Sequence, residues 1–256
     1  MPTLPADPKP AGRASAAEPL LLSTTQISTY RGSSLLTRAS GFFFERDERI
    51  FLVTARHVLC DEESKHEPDR IEFIVHTDAA HLSRVAVVAL PLYLDKVPAW
   101  RHGSDGGGEV DVAVLQIDKA RLPRDAAMTC FGTGNLLSAL DGVDVGTHLL
   151  LVGYPLGFHD TVYYLPVARH AIVASAFGVR FQGQGFFLTD GRAHRGSSGG
   201  PVVMRAANGA GGVAWTLLGV HSSRMDMNTR DTAQDESLGL NCAWYADMLL
   251  ALTARR

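Results

Sequence analysis

Short hydrophobic runs rich in Val, Ile, Phe and Leu alternate with turn residues along most of the chain. Segments of this length and spacing favour an all-β barrel or sandwich over helices. Phe42–Phe44 and Ile50–Thr54 predict the strands of a hairpin, with the polar Glu45–Arg49 as its turn. Further strands are predicted at Ile71–Val75, Val85–Leu90, Val110–Ile117, Leu149–Val152, Val167–Ala174, Val179–Leu188, Val202–Met204 and Val213–Val220. Trp244–Ala254 has helical spacing and predicts a short C-terminal helix.

Composition along the chain predicts where the packed parts begin and end. Residues 1–22 contain proline and small residues without periodicity, which predicts a flexible tail. A turn-rich region ends near residue 146. Residues 126–146 of this region are predicted to connect an N-terminal half, residues 23–125, to a C-terminal half, residues 147–256. The glycine-rich stretch Gly103–Gly108 lacks the Lys-Ser/Thr of a phosphate-binding loop and is predicted to be a flexible surface loop.

Overall charge and composition narrow the classes of partner. The chain has 46% hydrophobic residues, enough for a sizeable interior, and a net charge of −3. It has neither the basic surface of a nucleic-acid binder nor a like-charged block suited to a membrane, so neither partner is expected. Leu20–Leu22 is too short an apolar run for a signal peptide, and we expect a cytoplasmic location.

Cysteine and histidine spacing indicates neither disulfides nor a metal site. Cys60, Cys130 and Cys242 are odd in number and far apart, which fits a reduced compartment. The ten histidines show no spacing of the H-E-x-x-H type. We therefore predict no metal, and the chemistry considered next needs no cofactor.

Three segments carry the candidate chemistry, and their order matters. His57 follows the apolar run Phe51–Ala55, with one arginine between them. Asp111 lies in Glu109–Leu115, and Ser198 lies in the glycine-rich Arg195–Pro201. A serine hydroxyl becomes a good nucleophile when a neighbouring imidazole takes its proton. A carboxylate on the other ring nitrogen fixes the tautomer and stabilises the imidazolium. His57, Asp111 and Ser198 are the candidates for these three roles.

These segments resemble those of the trypsin-like serine peptidases, in particular their bacterial branch with the HtrA-type proteases. The matching contexts are T-A-x-H-V, D-x-A-(V/L)-L and G-x-S-G-G-P, from about Gly41 to about Leu249. The serine of the family directly precedes Gly-Gly-Pro, so the resemblance selects Ser198 over Ser197. It implies two six-stranded antiparallel barrels, His57 and Asp111 in the first and Ser198 in the second, with a short terminal helix. It also implies an oxyanion hole made of the N–H groups of Gly196 and Ser198.

The resemblance further implies how a protein or peptide substrate binds. Its backbone would add as a strand beside His221, Ser222 and Ser223. Arg192 stands where the family has the floor of its primary specificity pocket, and His221 lies on the strand that lines this pocket. These two residues would favour an acidic side chain before the cut site, whereas the HtrA-type members prefer small aliphatic ones, and both alternatives stay open.

The function expected from these features is a serine endopeptidase. The alternative is a binding or sensing module of a larger assembly that keeps the fold and suppresses turnover. The sequence pattern carries no information on the oligomeric state.

Overall fold

The computed structural model describes residues 17–138, 142–206, 214–226 and 237–255, and these residues are mostly β-structure. The strands of the N-terminal half are β1 (Thr24–Arg31), β2 (Ser34–Arg46), β3 (Arg49–Thr54), β4 (Arg70–His76), β5 (Val85–Pro91), β6 (Tyr93–Leu94), β7 (Val97–Pro98), β8 (Trp100–Asp105), β9 (Gly108–Ile117) and β10 (Phe131–Gly132). Those of the C-terminal half are β11 (His148–Gly153), β12 (Val167–Val173), β13 (Phe186–Gly191), β14 (Pro201–Arg205), β15 (Trp215–Asp226) and β16 (Ser237–Tyr245). The short helices are α1 (Pro19–Leu22), α2 (Arg56–Leu59) and α3 (Leu249–Leu252).

The C-terminal half is a closed antiparallel barrel, as predicted. Its six strands follow the order β11-β12-β13-β16-β15-β14, and β11 closes the barrel by pairing with β14. Inward-facing residues such as Leu149, Val173, Phe187 and Val202 are buried and pack in one cluster. Because the barrel is closed, each of its six strands has a neighbour on both sides, and the loop before β14 is anchored to a rigid structure.

The N-terminal half differs from the predicted closed six-stranded barrel. Eight strands form one sheet in the order β5-β4-β1-β2-β3-β9-β8, with β10 beside β2, and no described strand pair joins β5 to β8. The sheet still curls around one core, because Val88 of β5 and Trp100 of β8 pack in the same buried cluster as Phe43 and Leu115. Side-chain packing, rather than a closing hydrogen-bond ladder, completes this half.

A third cluster joins the two halves across their interface. Phe42 and Val112 from the N-terminal half are fully buried with Val220 and Trp244 from the C-terminal half. Burying side chains of this size contributes about 1.5–3 kcal/mol each. The contact therefore fixes β9, which carries Asp111, against β15 and β16.

Several predicted boundaries move in the structure. Residues 1–16 lie outside the described residues, but Ala17, Leu20 and Leu22 are buried, so the packed chain begins before residue 23. The Gly103–Gly108 stretch contains the end of β8, a tight turn at Gly106 and Gly107, and the start of β9. The Asp105 carboxylate accepts the Gly107 N–H at 2.7 Å. The predicted connection contains β10, which pairs with β2.

Two predicted elements are shorter than the sequence pattern indicated. The strand expected at Val179–Leu188 begins only at Phe186, because glycines and a 3₁₀ turn at Phe181–Gly183 precede it. The helix expected over Trp244–Ala254 is confined to Leu249–Leu252 after a 3₁₀ turn. Trp244 instead lies within β16, one residue before its end, and packs edge-on against Phe186, which suits an aromatic side chain in a sheet.

Among the helices in the described parts of the chain, none has the length and apolar character needed to cross a membrane.

Candidate active site

His57 lies at the cleft between the halves because α2 begins directly after β3. Val58 and Leu59 of this helix are buried in the N-terminal core, which holds the short turn in place. The His57 side chain remains 38% exposed and faces the C-terminal barrel. The buried side chains of this short helix therefore fix the position of the His57 imidazole in the cleft.

Asp111 binds His57 twice. One carboxylate oxygen lies 2.7 Å from Nδ1 of the ring, and the other accepts the backbone N–H of His57 at 2.8 Å. Because an ionised carboxylate only accepts hydrogen bonds, Nδ1 carries the hydrogen and Nε2 is left as the acceptor. This is the tautomer that a general base at Nε2 needs.

A third contact to Asp111 was not expected from the sequence. The Ser222 hydroxyl donates a hydrogen bond to the Asp111 oxygen that also contacts the His57 ring. Ser222 comes from β15 and Asp111 from β9, so this bond joins the two halves. The sequence analysis placed Ser222 only on the substrate strand, since no local signal links residues this far apart.

Burial and hydrogen bonding act in opposite directions on the His57–Asp111 pair. Burial alone would lower the pKa of His57, but the hydrogen bond and charge of Asp111 offset it and raise this pKa above 6.5. Burial would raise the pKa of Asp111, yet the donors from His57 and Ser222 hold it below its ordinary value. Asp111 is therefore ionised at neutral pH and holds a hydrogen-bonded imidazole.

Ser198 lies beside this pair. Its hydroxyl donates to the backbone carbonyl of Ser222 at 2.8 Å, and in the described residues no hydrogen bond joins it to His57. Ser198, Gly196 and His57 line one cavity of about 260 Å³. Ser197 is 8% exposed and lines a different, much smaller cavity, so Ser198 is the serine beside the imidazole.

Glycines give the loop around Ser198 its shape. Gly196 has φ +90, and a Cβ there would lie 2.6 Å from the Tyr154 carbonyl oxygen. Gly199 has φ +85, and its Cβ would lie 2.2 Å from the Thr54 hydroxyl oxygen. Both positions therefore require glycine.

Two backbone N–H groups of this loop have no acceptor. Within the described ranges, neither Gly196 nor Ser198 donates its amide hydrogen to another group of the protein. Their neighbours Ser197, Gly199 and Gly200 all donate theirs to backbone carbonyls. The two unused donors belong to the residues predicted to form the oxyanion hole.

The strand predicted to bind substrate has an unpaired stretch next to Ser198. Pairing of β15 with β14 ends at Val220, and Gly199 and Gly200 then flank His221. From Ser222 onward, no strand in the described parts of the chain pairs with this side of β15. Ser223 is exposed there, as a backbone-binding edge requires.

His221 and Arg192 do not form one open pocket. His221 is 2% exposed, and its Nδ1 has no hydrogen-bond partner among the described residues. Burial, together with the nearby charge of His57, lowers its pKa to about 4. Arg192 is exposed and lines a cavity of about 670 Å³ with Arg169, His170 and His194. Both residues line a cavity of about 10 Å³ beside Ser197, which is too small for a side chain.

Comparison with known proteins places this geometry in a family. Residues 39–210 match the trypsin-like peptidase domain. No curated protein matches the sequence. Similar solved structures include an HtrA-type protease, AlgW, with a tripeptide (TM-score 0.55, 18% identity) and the serine endoprotease from Yersinia pestis (TM-score 0.53, 17% identity).

At this identity the two solved structures show a shared fold alone. The match covers 90% of this chain in both cases, but only 58% and 61% of the two other chains. The domain match is more specific, since it spans over half of this chain and includes the segments of His57, Asp111 and Ser198. The chain therefore belongs to the trypsin-like peptidase family.

Proposed function

We propose that this protein is a serine endopeptidase in which Ser198 is the nucleophile, His57 the general base and Asp111 its partner. The observation that carries the proposal is the double hydrogen bond of Asp111 to His57, with Ser198 lining the same cavity as the imidazole. Acyl transfer needs a partly buried carboxylate, a correctly oriented imidazole and an accessible hydroxyl, and these three groups supply them.

The first step requires a change in the side-chain rotamer of Ser198. Its hydroxyl is bonded to the Ser222 carbonyl, and a turn about χ1 to another staggered position directs it toward Nε2 of His57. A substrate strand that adds to β15 can donate its own N–H to the Ser222 carbonyl. Binding of substrate thereby releases the serine hydroxyl from its acceptor.

The chemistry then follows from the positions of these groups. Ser198 Oγ attacks the peptide carbonyl carbon as its proton passes to His57, and Asp111 stabilises the imidazolium. The unused N–H groups of Gly196 and Ser198 donate to the oxyanion that forms. The C–N bond breaks as His57 protonates the leaving amine, and a water activated by His57 hydrolyses the acyl-enzyme.

For the residue before the cut site, we favour a small aliphatic side chain over an acidic one. A carboxylate would need His221, but that side chain is 2% exposed and, with a pKa of about 4, uncharged at pH 7. Cleavage of a diverse peptide library is expected to enrich Ala and Val before the cut. Enrichment of Glu and Asp, abolished by His221→Ala, would overturn this preference.

One observation favours the alternative of a suppressed binding or sensing module. Ser198 is bonded to Ser222 rather than to His57, which is a resting arrangement for the nucleophile. The two functions differ in whether the serine reacts without a further partner. Reactivity of the purified protein therefore separates them.

A fluorophosphonate probe measures this reactivity. Ser198 Oγ forms a bond to phosphorus, fluoride leaves, and the serine proton passes to His57. We expect the wild type to be labelled, Ser198→Ala to be unlabelled and His57→Ala to react about 10³-fold more slowly or worse. A wild type that stays unlabelled would favour the binding module, and labelling of Ser198→Ala would contradict the assigned nucleophile.

A further inference from the structure

Ser40 forms a hydrogen-bonded connection between the two halves of the molecule at the loop that carries Ser198. It lies on β2 and is fully buried. Its hydroxyl donates to the Gly196 carbonyl at 2.7 Å and accepts the Tyr154 N–H at 2.9 Å. Its backbone N–H donates to the Ser198 carbonyl at 2.9 Å, and its own carbonyl accepts the Thr54 hydroxyl at 2.8 Å.

These bonds act on a loop that has little intrinsic rigidity. Gly196 can rotate at low cost because it has no Cβ, and its N–H points as required only if the adjoining peptide planes are fixed. The plane before Gly196 is held by the Leu156 N–H, which donates to the Arg195 carbonyl at 2.6 Å. The plane after it is held by the Ser40 hydroxyl.

We propose that Ser40 is a positioning residue that keeps the N–H of Gly196 directed at the substrate oxyanion. This inference rests on the proposed function, since it assigns a role within the same reaction. Ser40 touches neither substrate nor the reacting atoms. It acts through the Gly196 carbonyl, which it binds from the N-terminal half.

The location of Ser40 on the N-terminal half gives this contact a second consequence. His57 and Asp111 belong to the same half, whereas Ser198 and Gly196 belong to the other. Ser40 therefore holds the nucleophile loop at a fixed distance from the half that supplies the base. Errors of about 1 Å in such placements can lower rates about 10²-fold.

Ser40→Ala removes the hydroxyl and leaves the backbone bond to Ser198 in place. We expect the fluorophosphonate labelling rate to fall about 10- to 100-fold with an unchanged pH midpoint, because the oxyanion donor is displaced while His57 keeps its surroundings. Ser40→Cys, whose thiol is a weak donor, should fall between Ala and wild type. Ser40→Cys also tests the proposal if Ser40→Ala does not fold.

Ser23→Ala is the matched control. Ser23 is also fully buried, and its hydroxyl donates to a backbone carbonyl, that of Leu20, at the same 2.7 Å. This variant should lose similar thermal stability yet label at the wild-type rate. If Ser40→Ala and Ser40→Cys label as fast as Ser23→Ala, Ser40 is only a structural hydrogen bond and the proposal is wrong. Failure of the wild type to label would instead refute the proposed function, and this inference with it.

Discussion

At the scale of single residues, Asp111 is the centre of the site. It accepts from the ring and backbone of His57 and from the Ser222 hydroxyl, and all three donors keep it ionised in spite of burial. His57 must be neutral to accept the serine proton, so activity is present above the His57 pKa and is lost as pH falls through it. Since that pKa is raised, the midpoint should lie above 6.5.

Ser222→Ala tests the contact that the sequence analysis missed. With one donor fewer, Asp111 should hold the proton on His57 more tightly, and the midpoint of the pH profile of fluorophosphonate labelling should move to higher pH. The wild type and Ser23→Ala, titrated in parallel, provide the reference midpoint. A midpoint that stays in place or moves lower would mean that Ser222 does not act on the pair.

At the scale of elements, the loop between β13 and β14 determines the geometry of the nucleophile. Positive φ angles at Gly196 and Gly199 turn the chain so that the N–H groups of Gly196 and Ser198 remain without acceptors in the part of the chain that the structure describes. The Tyr154 carbonyl leaves no room for a side chain at Gly196, and the Thr54 hydroxyl and Ser40 carbonyl leave none at Gly199. In the proposed reaction, the conformation of this loop is therefore as necessary as the serine itself.

Gly196→Ala should disrupt this loop directly. The new Cβ would approach the Tyr154 carbonyl at 2.6 Å and strain a backbone at φ +90, so the peptide must turn and withdraw its donor. Loss of one oxyanion donor lowers rates about 10²- to 10³-fold, and we expect labelling to slow by that factor. Gly134→Ala is the matched control, since nothing lies within 4 Å of its Cβ. Equal labelling of the two variants would exclude a role for the Gly196 amide.

At the scale of the whole molecule, the sequence predicted what local patterns encode. The Phe42–Phe44 hairpin strand and its partner Ile50–Thr54 were found because hydrophobic runs and a polar turn are adjacent in the chain. The closed C-terminal barrel followed from the family resemblance. β1 and β16 were not predicted, because polar residues such as Thr24 and Asn241 interrupt their apolar pattern and are buried only through pairing.

The parts of the site that escaped prediction depend on contacts between the two halves. The Ser222 bond to Asp111 and the Ser40 bond to Gly196 each join residues from different halves. Burial of His221 likewise depends on how β15 packs within the barrel, and not on its own motif. The sequence did not predict that the N-terminal sheet stays open, because closure depends on whether its two end strands, β5 and β8, pair with each other.

The most direct test of the account is to map the residue that a fluorophosphonate labels in the purified wild-type protein. Tryptic or chymotryptic peptides analysed by mass spectrometry distinguish Ser198 from its neighbour Ser197. The account predicts a single adduct on Ser198 that forms faster as pH rises through the His57 pKa and is nearly lost in His57→Ala. An adduct on Ser197, or labelling of Ser198 that persists at the wild-type rate in His57→Ala, would contradict it.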